Sequence, residues 1–127
     1  MSTTTKMTTT FAEYAQQQEA RQNIANAVLG HTLALCEALR HNYERQYSGT
    51  QNYEFYPETG RKYHKIIMDA NGSRSVHAFV DKKTGEVYKS ASWKSPAKGV
   101  RYDLRLIKDR EWLLENADWA GGYLYQR

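Results

Sequence analysis

Apolar residues between Thr10 and Tyr47 recur at the three- and four-residue spacing of an amphipathic helix. Thr10 and Glu13 have the spacing of a capping box, which places the start of the helix at residue 11. Ser48 and Gly49 end it after Tyr47. We therefore predict one long helix over residues 11–47. Its apolar stripe is formed by Ile24, Val28, Leu35, Leu39 and Tyr43, and it is widened by Leu29, Thr32 and Cys36.

Gly30 is the weak point of this helix, since glycine costs about 1 kcal/mol relative to alanine inside a helix. Unbroken, about 37 residues would extend on the order of 55 Å, which exceeds what a four-stranded sheet from this chain can cover. Either the helix kinks or breaks at Gly30, or part of its apolar stripe packs on another subunit.

Residues 52–92 contain three turn signals that separate four predicted strands. The turns are Pro57-Glu58-Thr59-Gly60, Asn71-Gly72 and Lys82-Lys83-Thr84-Gly85, and the strands are 53–56, 62–69, 74–81 and 86–92. An Asn-Gly pair favours a tight hairpin because both residues tolerate positive φ. Each Thr-Gly loop places its glycine where a left-handed residue is needed. No connection is long enough for a crossover helix, so the sheet is predicted to be an antiparallel meander.

The Asn71-Gly72 turn sets a register across the central hairpin. The predicted pairs are Asp69 with Arg74, Ile67 with Val76, Ile66 with His77, His64 with Phe79, Tyr63 with Val80 and Lys62 with Asp81. Two of these pairs join opposite charges, which favours the alignment.

The register sorts the strand side chains onto two apolar faces, of which one helix can cover only one. A largely β-branched face carries Tyr63, Ile67, Val76, Ala78, Val80, Val87 and Ala91 with Lys65 and Lys89; an aromatic face carries Tyr53, Phe55, Ile66, Met68, Phe79 and Tyr88 with His64 and His77. The β-branched face is favoured as the one under the helix, although its two lysines argue against that choice. The other face must be covered by the C-terminal segment, another subunit or a ligand.

The C-terminal third is less regular. Ser95-Pro96 favours the start of a helical turn, Leu106 to Glu115 favours a short helix, and Tyr123 to Gln126 offers a fifth edge strand. The predicted fold class is α+β: a long N-terminal helix on a four-stranded antiparallel meander, followed by a C-terminal helix. Residues 11–127 are predicted to form a single domain (helix 11–47, sheet 52–92, C-terminal helix and tail 95–127) after a disordered tail at 1–10.

The composition narrows the cellular setting. The 127 residues suffice for one domain with its own core, and the single Cys36 excludes an internal disulfide and fits a reducing compartment. No apolar run approaches the roughly 20 residues that span a bilayer, and the Thr-rich start lacks a signal-peptide core. We expect a cytoplasmic protein with no membrane partner.

Positive charge is concentrated in the sheet region. Residues 61–105 contain eleven Lys and Arg against four Asp and Glu, a net of +7, while the rest of the chain sums to −3. Within this region, the loop with Trp93, Lys94, Lys98, Arg101 and Tyr102 interleaves aromatic and basic residues. Aromatic rings stack on bases and cations neutralise phosphates, and Lys62, Lys65, Arg74 and Lys89 extend this candidate surface. The alternative is a packed loop whose Trp and Tyr close the end of the core.

The histidines offer a weaker candidate site. His31 and His41 have no partner at a metal-ligand spacing, whereas the register makes His64 and His77 diagonal neighbours on one face. Two adjacent imidazoles can bind a metal or share a proton, but no third ligand is placed beside them. Two hydrogen-bonded structural histidines are therefore the simpler interpretation. We expect no cofactor and no metal, and Cys36 is expected to be a buried thiol on the helix stripe.

The run VHAFVDKKTGEVYKSASWKSPAKGVRYDL, residues 76–104, resembles segments of small uncharacterised proteins of tailed phages and marine metagenomes. It covers about a quarter of the chain. That group has no assigned activity, so the resemblance implies no residue roles. It implies a viral or environmental origin and, for a viral protein, an accessory role during infection in the host cytoplasm.

Three functions follow from these patterns. The first is a small non-enzymatic protein that binds single-stranded nucleic acid through the basic and aromatic sheet and loop. The second is a homo-oligomeric interaction module that uses the uncovered sheet face or the overlong helix to bind a second copy, a host protein or a phage protein. The third is a small enzyme that uses His64 and His77.

Overall fold

The computed structural model describes residues 10–47 and 52–125. Residues 1–9 of the predicted disordered tail lie outside this range. The predicted end of the helix at Ser48-Gly49 also lies outside it. In chain order the elements are α1 (Phe11–Gln46), β1 (Tyr53–Thr59), β2 (Tyr63–Ala70), β3 (Ser73–Asp81), β4 (Glu86–Lys89), β5 (Tyr102–Asp103), α2 (Ile107–Asn116) and a short 3-10 helix (Gly122–Tyr125). The predicted α+β fold is confirmed.

Helix α1 begins at the predicted capping box. The backbone N–H of Glu13 donates to the Thr10 hydroxyl at 3.1 Å, and the backbone N–H of Thr10 donates to the Glu13 carboxylate at 3.0 Å. The helix continues for 36 residues through Gly30, which excludes the alternative of a break into two helices. Gly30 is exposed, and a Cβ there would meet nothing within 4 Å.

Only the later part of α1 contacts the sheet. Its buried residues are Val28, Thr32, Leu35, Cys36, Leu39 and Tyr43. Residues 11–23 are all exposed, and burial begins at the half-buried Ile24. The core stripe was predicted correctly, and the excess length of the helix takes the form of an uncovered N-terminal third.

The sheet is an antiparallel meander with the strand order β1-β2-β3-β4-β5. Its fifth strand is Tyr102–Asp103, in which Tyr102 pairs with Val87. The predicted fifth strand at 123–126 is wrong for residues 123–125, because they form the 3-10 helix. Gln126 lies outside the described residues. The predicted helical turn at Ser95-Pro96 is also wrong, since Pro96 forms a bridge to Ser90.

The central hairpin confirms the predicted turn and part of the predicted register. Asn71 and Gly72 have φ values of 54° and 90°, as a two-residue hairpin turn requires. Gly85 is left-handed as predicted, with φ of 80°, whereas Gly60 does not take a positive φ. Next to the turn, the predicted pairs of Asp69 with Arg74 and Ile67 with Val76 are both present.

A β-bulge at His77 makes the rest of the predicted register wrong. The pairing shifts between Ile66 and Ile67, so that Ile66 lies opposite Ala78 and His77 has no partner residue. Beyond the bulge every pair moves by one position. His64 lies opposite Val80 instead of Phe79, and Tyr63 lies opposite Asp81 instead of Val80. Phe79 is paired with Lys65.

The bulge also decides which side chains face α1. Because side chains alternate along a strand, one extra residue exchanges the two faces of β3 beyond that point. The core under α1 therefore combines Phe55 and Ile66 from the predicted aromatic face with Ala78, Val80 and Val87 from the predicted β-branched face. The prediction that α1 covers the face carrying Ile67 is wrong.

The C-terminal segment closes the end of this core. Leu104, Leu113, Tyr123 and Leu124 are buried with Tyr102, whose hydroxyl donates to the backbone carbonyl of Tyr123 at 2.8 Å. The predicted C-terminal helix is confirmed as α2. No helix within residues 10–47 and 52–125 has both the length and the apolar character needed to cross a membrane.

Candidate functional site

The sheet face that points away from α1 is a layer of aromatic and basic side chains. We call it the outer face; it consists of Tyr56, Tyr63, Lys65, Ile67, Arg74, Phe79, Tyr88 and Trp93. Ile67 and Phe79 are 0% and 1% exposed, although no helix among the described residues covers this side. Their own neighbours cover them. The Tyr63 ring packs edge-on against Phe79 with centroids 5.4 Å apart, and against Tyr88 at 6.2 Å.

Trp93 lies on this layer between two cations. The Lys65 ammonium is 5.1 Å from the indole centroid, and the Arg74 guanidinium carbon is 5.4 Å from it. Both distances are within the range of cation–π attraction. Arg74 is also 5.9 Å from the Tyr56 ring and donates to Glu58 at 2.6 Å. Trp93 nevertheless remains 41% exposed, so part of its surface is accessible to a ligand.

The loop that carries Trp93 is held by its own hydrogen bonds. The backbone N–H groups of Ala91 and Ser92 both donate to the carbonyl of Ser95, at 3.0 and 3.1 Å. The Ser92 hydroxyl accepts from the backbone N–H of Lys94 and of Ser95. This closed turn places Trp93 and Lys94 at its tip, with Lys94 exposed.

The other residues predicted for this surface are placed elsewhere. Tyr102 is 2% exposed and its ring stacks on Trp112, with centroids 5.2 Å apart. The Arg101 side chain connects its own loop to the C-terminal segment. Its Nε donates to the Leu124 carbonyl at 2.7 Å, and its Nη1 donates to the Gly99 carbonyl at 2.9 Å. The Lys89 ammonium lies 4.7 Å from the Tyr125 ring, and Lys98 is exposed further along the loop.

The two sheet histidines each have a hydroxyl partner of their own. His64 is 4% exposed, with Nδ1 2.8 Å from the Thr59 hydroxyl; burial and then the nearby charge of Lys82 lower the pKa of its imidazole. His77 has Nε2 2.9 Å from the Tyr123 hydroxyl. Burial lowers the pKa of His77 to about 4, against an opposing effect of Asp118. In the part of the chain that the structure describes, no three His, Cys, Asp or Glu side chains are grouped as a metal site requires.

A second positively charged surface lies at one end of the sheet, and the sequence analysis did not predict it. An open groove of about 870 Å³ lies between the start of α1 and the β1–β2 and β3–β4 turns. We call it the basic groove; its cations are Arg21, Arg61, Lys62, Lys82 and Lys83, against the single carboxylate of Asp81. Its apolar part is formed by Ile24 and Ala25. The Lys82 ammonium ties the two turns together by donating to the Gly60 carbonyl at 2.9 Å.

The order of the predicted strands would have been enough to predict part of this groove. In an antiparallel meander the first and third turns lie at the same end of the sheet. The pairs Arg61-Lys62 and Lys82-Lys83 occupy those two turns, so their charges converge. Arg21 is added by a helix whose position over the sheet end only the tertiary structure reveals.

The fold defines an α+β protein in which a long helix covers one face of a five-stranded antiparallel meander. Residues 11–126 match the family model described as "Family of unknown function (DUF7717)", and the chain therefore belongs to that family. No curated protein and no solved structure matches the chain. The resemblance to phage and metagenomic proteins stays a prediction.

Proposed function

We propose that this protein binds single-stranded nucleic acid through its outer face, with Trp93 stacking on a base and Lys65, Arg74 and Lys94 contacting phosphates. One observation carries the proposal: a tryptophan that is 41% exposed lies within 5.4 Å of two cationic groups on a sheet surface. Stacking on an exposed ring beside cations is how sequence-tolerant single-strand binding operates.

The rigidity of the outer face supports this role. Beneath the exposed residues, Ile67 and Phe79 are fully enclosed, so the platform needs no ordering before it binds. A preorganised aromatic surface loses little conformational entropy on binding. The half-buried Tyr56, Tyr63 and Tyr88 surround this centre and provide further ring surface.

The charges of the outer face limit the expected affinity. Arg74 is paired with Glu58 at 2.6 Å, so a phosphate must compete with a carboxylate for its guanidinium. Three phosphate contacts, from Lys65, Arg74 and Lys94, would give a slope of about −2 for log affinity against log salt on a single strand. We therefore expect moderate, salt-sensitive binding with little sequence preference.

The test is fluorescence anisotropy with labelled oligo(dT) and oligo(U) over a salt series. Trp93→Leu is expected to weaken binding roughly 5- to 150-fold, which corresponds to about 1–3 kcal/mol of stacking on one base. Lys65→Gln is expected to flatten the salt slope by about 0.7.

Trp112→Leu is the matched control. Trp112 is 38% exposed, almost as much as Trp93, but it stacks on Tyr102 rather than lying beside Lys65 and Arg74. Its replacement should leave oligonucleotide affinity unchanged. Equal losses in the two tryptophan variants, or no binding by the wild type at low salt, would refute the proposal.

A further inference from the structure

The N-terminal third of α1 presents large apolar side chains to solvent. Phe11 is 87% exposed and Tyr14 is 54% exposed. Tyr14 precedes the buried Val28 by two heptads, so it lies on the same side of the helix. The stripe that forms the core further along therefore continues onto a segment where nothing in the described chain covers it.

The basic groove lies beside the next turns of the same helix, along Gln18, Arg21 and Ala25. Its apolar part and its volume of about 870 Å³ can accept aromatic side chains. Five cations against one carboxylate leave it strongly positive. Such a groove favours an occupant that is apolar on one side and negatively charged on the other.

The first turns of α1 have this combination of properties. Residues 11–20 contain Glu13 and Glu19 and no Lys or Arg, and they also carry Phe11 and Tyr14. A chain cannot place this segment in its own groove, because Phe11 and Ala25 are about 21 Å apart along one continuous helix. The complementary segment must come from a second molecule.

We propose that two copies of this chain associate through antiparallel pairing of the N-terminal thirds of α1, with Phe11 and Tyr14 of each copy docking in the basic groove of the other. In a pair centred on Gln18, Phe11 of one copy lies opposite Ala25 of the other, seven residues from the centre in each direction. The acidic first turns of one helix then lie beside the cationic turns of the partner. The contact is the same on both copies and closes with two-fold symmetry.

The first experiment measures molar mass by sedimentation or light scattering up to roughly 100 μM, a range that detects weak association. The wild type is expected to dimerise, and the Phe11→Ser, Tyr14→Ser double variant is expected to dissociate at least about tenfold more readily. Leu33→Ser is the matched control, since Leu33 is a 47% exposed apolar residue elsewhere on α1. A monomeric wild type, or a double variant that dimerises as well as the control, would overturn the proposal.

A charge exchange tests the orientation of the pair. Glu19→Lys alone and Lys83→Glu alone should each weaken the dimer, and an equimolar mixture of the two variants should recover association because it restores opposite charges between copies. Both side chains are exposed, so neither change is expected to unfold the chain. No recovery in the mixture would exclude this arrangement.

The same variants separate the dimer from nucleic-acid binding. If Arg61→Glu with Lys83→Glu abolishes oligonucleotide binding and the wild type itself stays monomeric at every concentration, the groove holds a nucleic acid and the dimer proposal fails. If Trp93→Leu loses oligonucleotide affinity and still dimerises, the two surfaces act independently, as we expect.

Discussion

Acidification is expected to destabilise this protein through His77, the residue at the bulge. Its imidazole contacts the Tyr123 hydroxyl at 2.9 Å and lies edge-on to Phe55, with ring centroids 5.7 Å apart. This enclosure disfavours a positive charge, and it lowers the pKa of His77 to about 4 from the ordinary 6.5. The folded state therefore binds this proton more weakly than the unfolded chain does.

The magnitude follows from the difference between the two pKa values. The difference between a pKa of 6.5 and a pKa of about 4 corresponds to about 3 kcal/mol in the free energy of unfolding. Because part of the residue remains accessible to water, the expected effect on the free energy of unfolding is about 2 kcal/mol. The unfolded chain binds the proton below pH 6.5 and the folded chain only near pH 4. The free energy of unfolding is therefore highest above pH 6.5 and falls as the pH drops from 6.5 to 4.

The assay is urea unfolding of the wild type and of His77→Gln across this pH range. The glutamine amide can keep a hydrogen bond to Tyr123 but cannot titrate, so the variant should lose about 2 kcal/mol less than the wild type on acidification. His41→Gln, which removes an exposed imidazole, is the control and should behave as the wild type. His31 and His64 also have a lowered pKa, so some pH dependence will remain. An unchanged pH dependence in His77→Gln would refute this explanation.

Two further predictions concern α1. Gly30→Ala should raise the free energy of unfolding by about 1 kcal/mol in urea denaturation, because Gly30 is exposed in a continuous helix and a Cβ meets nothing there; a loss of stability would contradict the uninterrupted helix. Cys36 is 4% exposed and burial raises the pKa of its thiol to about 12, so a thiol reagent should react with the folded protein on the order of 10³ times more slowly than with the protein in urea. Equal rates in the two conditions would show that the thiol is not enclosed.

Local signals predicted the parts of the fold that local chemistry determines. The capping pair Thr10 and Glu13 and the turn Asn71-Gly72 are both formed by residues in contact along the chain, and both are present. The strand register that the Asn71-Gly72 turn implies holds for the pairs nearest the turn, Asp69 with Arg74 and Ile67 with Val76. The pairing of β2 with β3 was therefore predicted correctly only for the residues close to the turn that sets it.

The remaining errors arise where distant segments decide the outcome. The bulge lies within Val76-His77-Ala78, which has no glycine to mark it, and it is supported by the Tyr123 hydroxyl 46 residues away. Tyr102 belongs to a two-residue strand and is buried by contacts with Trp112 and Tyr123. The aromatic and basic pattern of the loop predicts neither the burial of Tyr102 nor the hydrogen bond from Arg101 to the Leu124 carbonyl.

The bulge also determines the chemistry of the outer face. In the register without it, Phe79 would point toward α1, and Ala78 would lie opposite Lys65 in its place. The extra residue at 77 instead brings Phe79 under Lys65, with the ammonium 6.0 Å from the ring, and turns Val80 into the core. The same one-residue shift thus places Phe79 in the outer face and Val80 in the core. Deleting His77 would remove only the extra residue, and the observed pairs of Ile67 with Val76 and Ile66 with Ala78 would become consecutive pairs of a regular ladder. Both faces of β3 should therefore be kept, and the domain should stay folded with only the contact between His77 and Tyr123 lost.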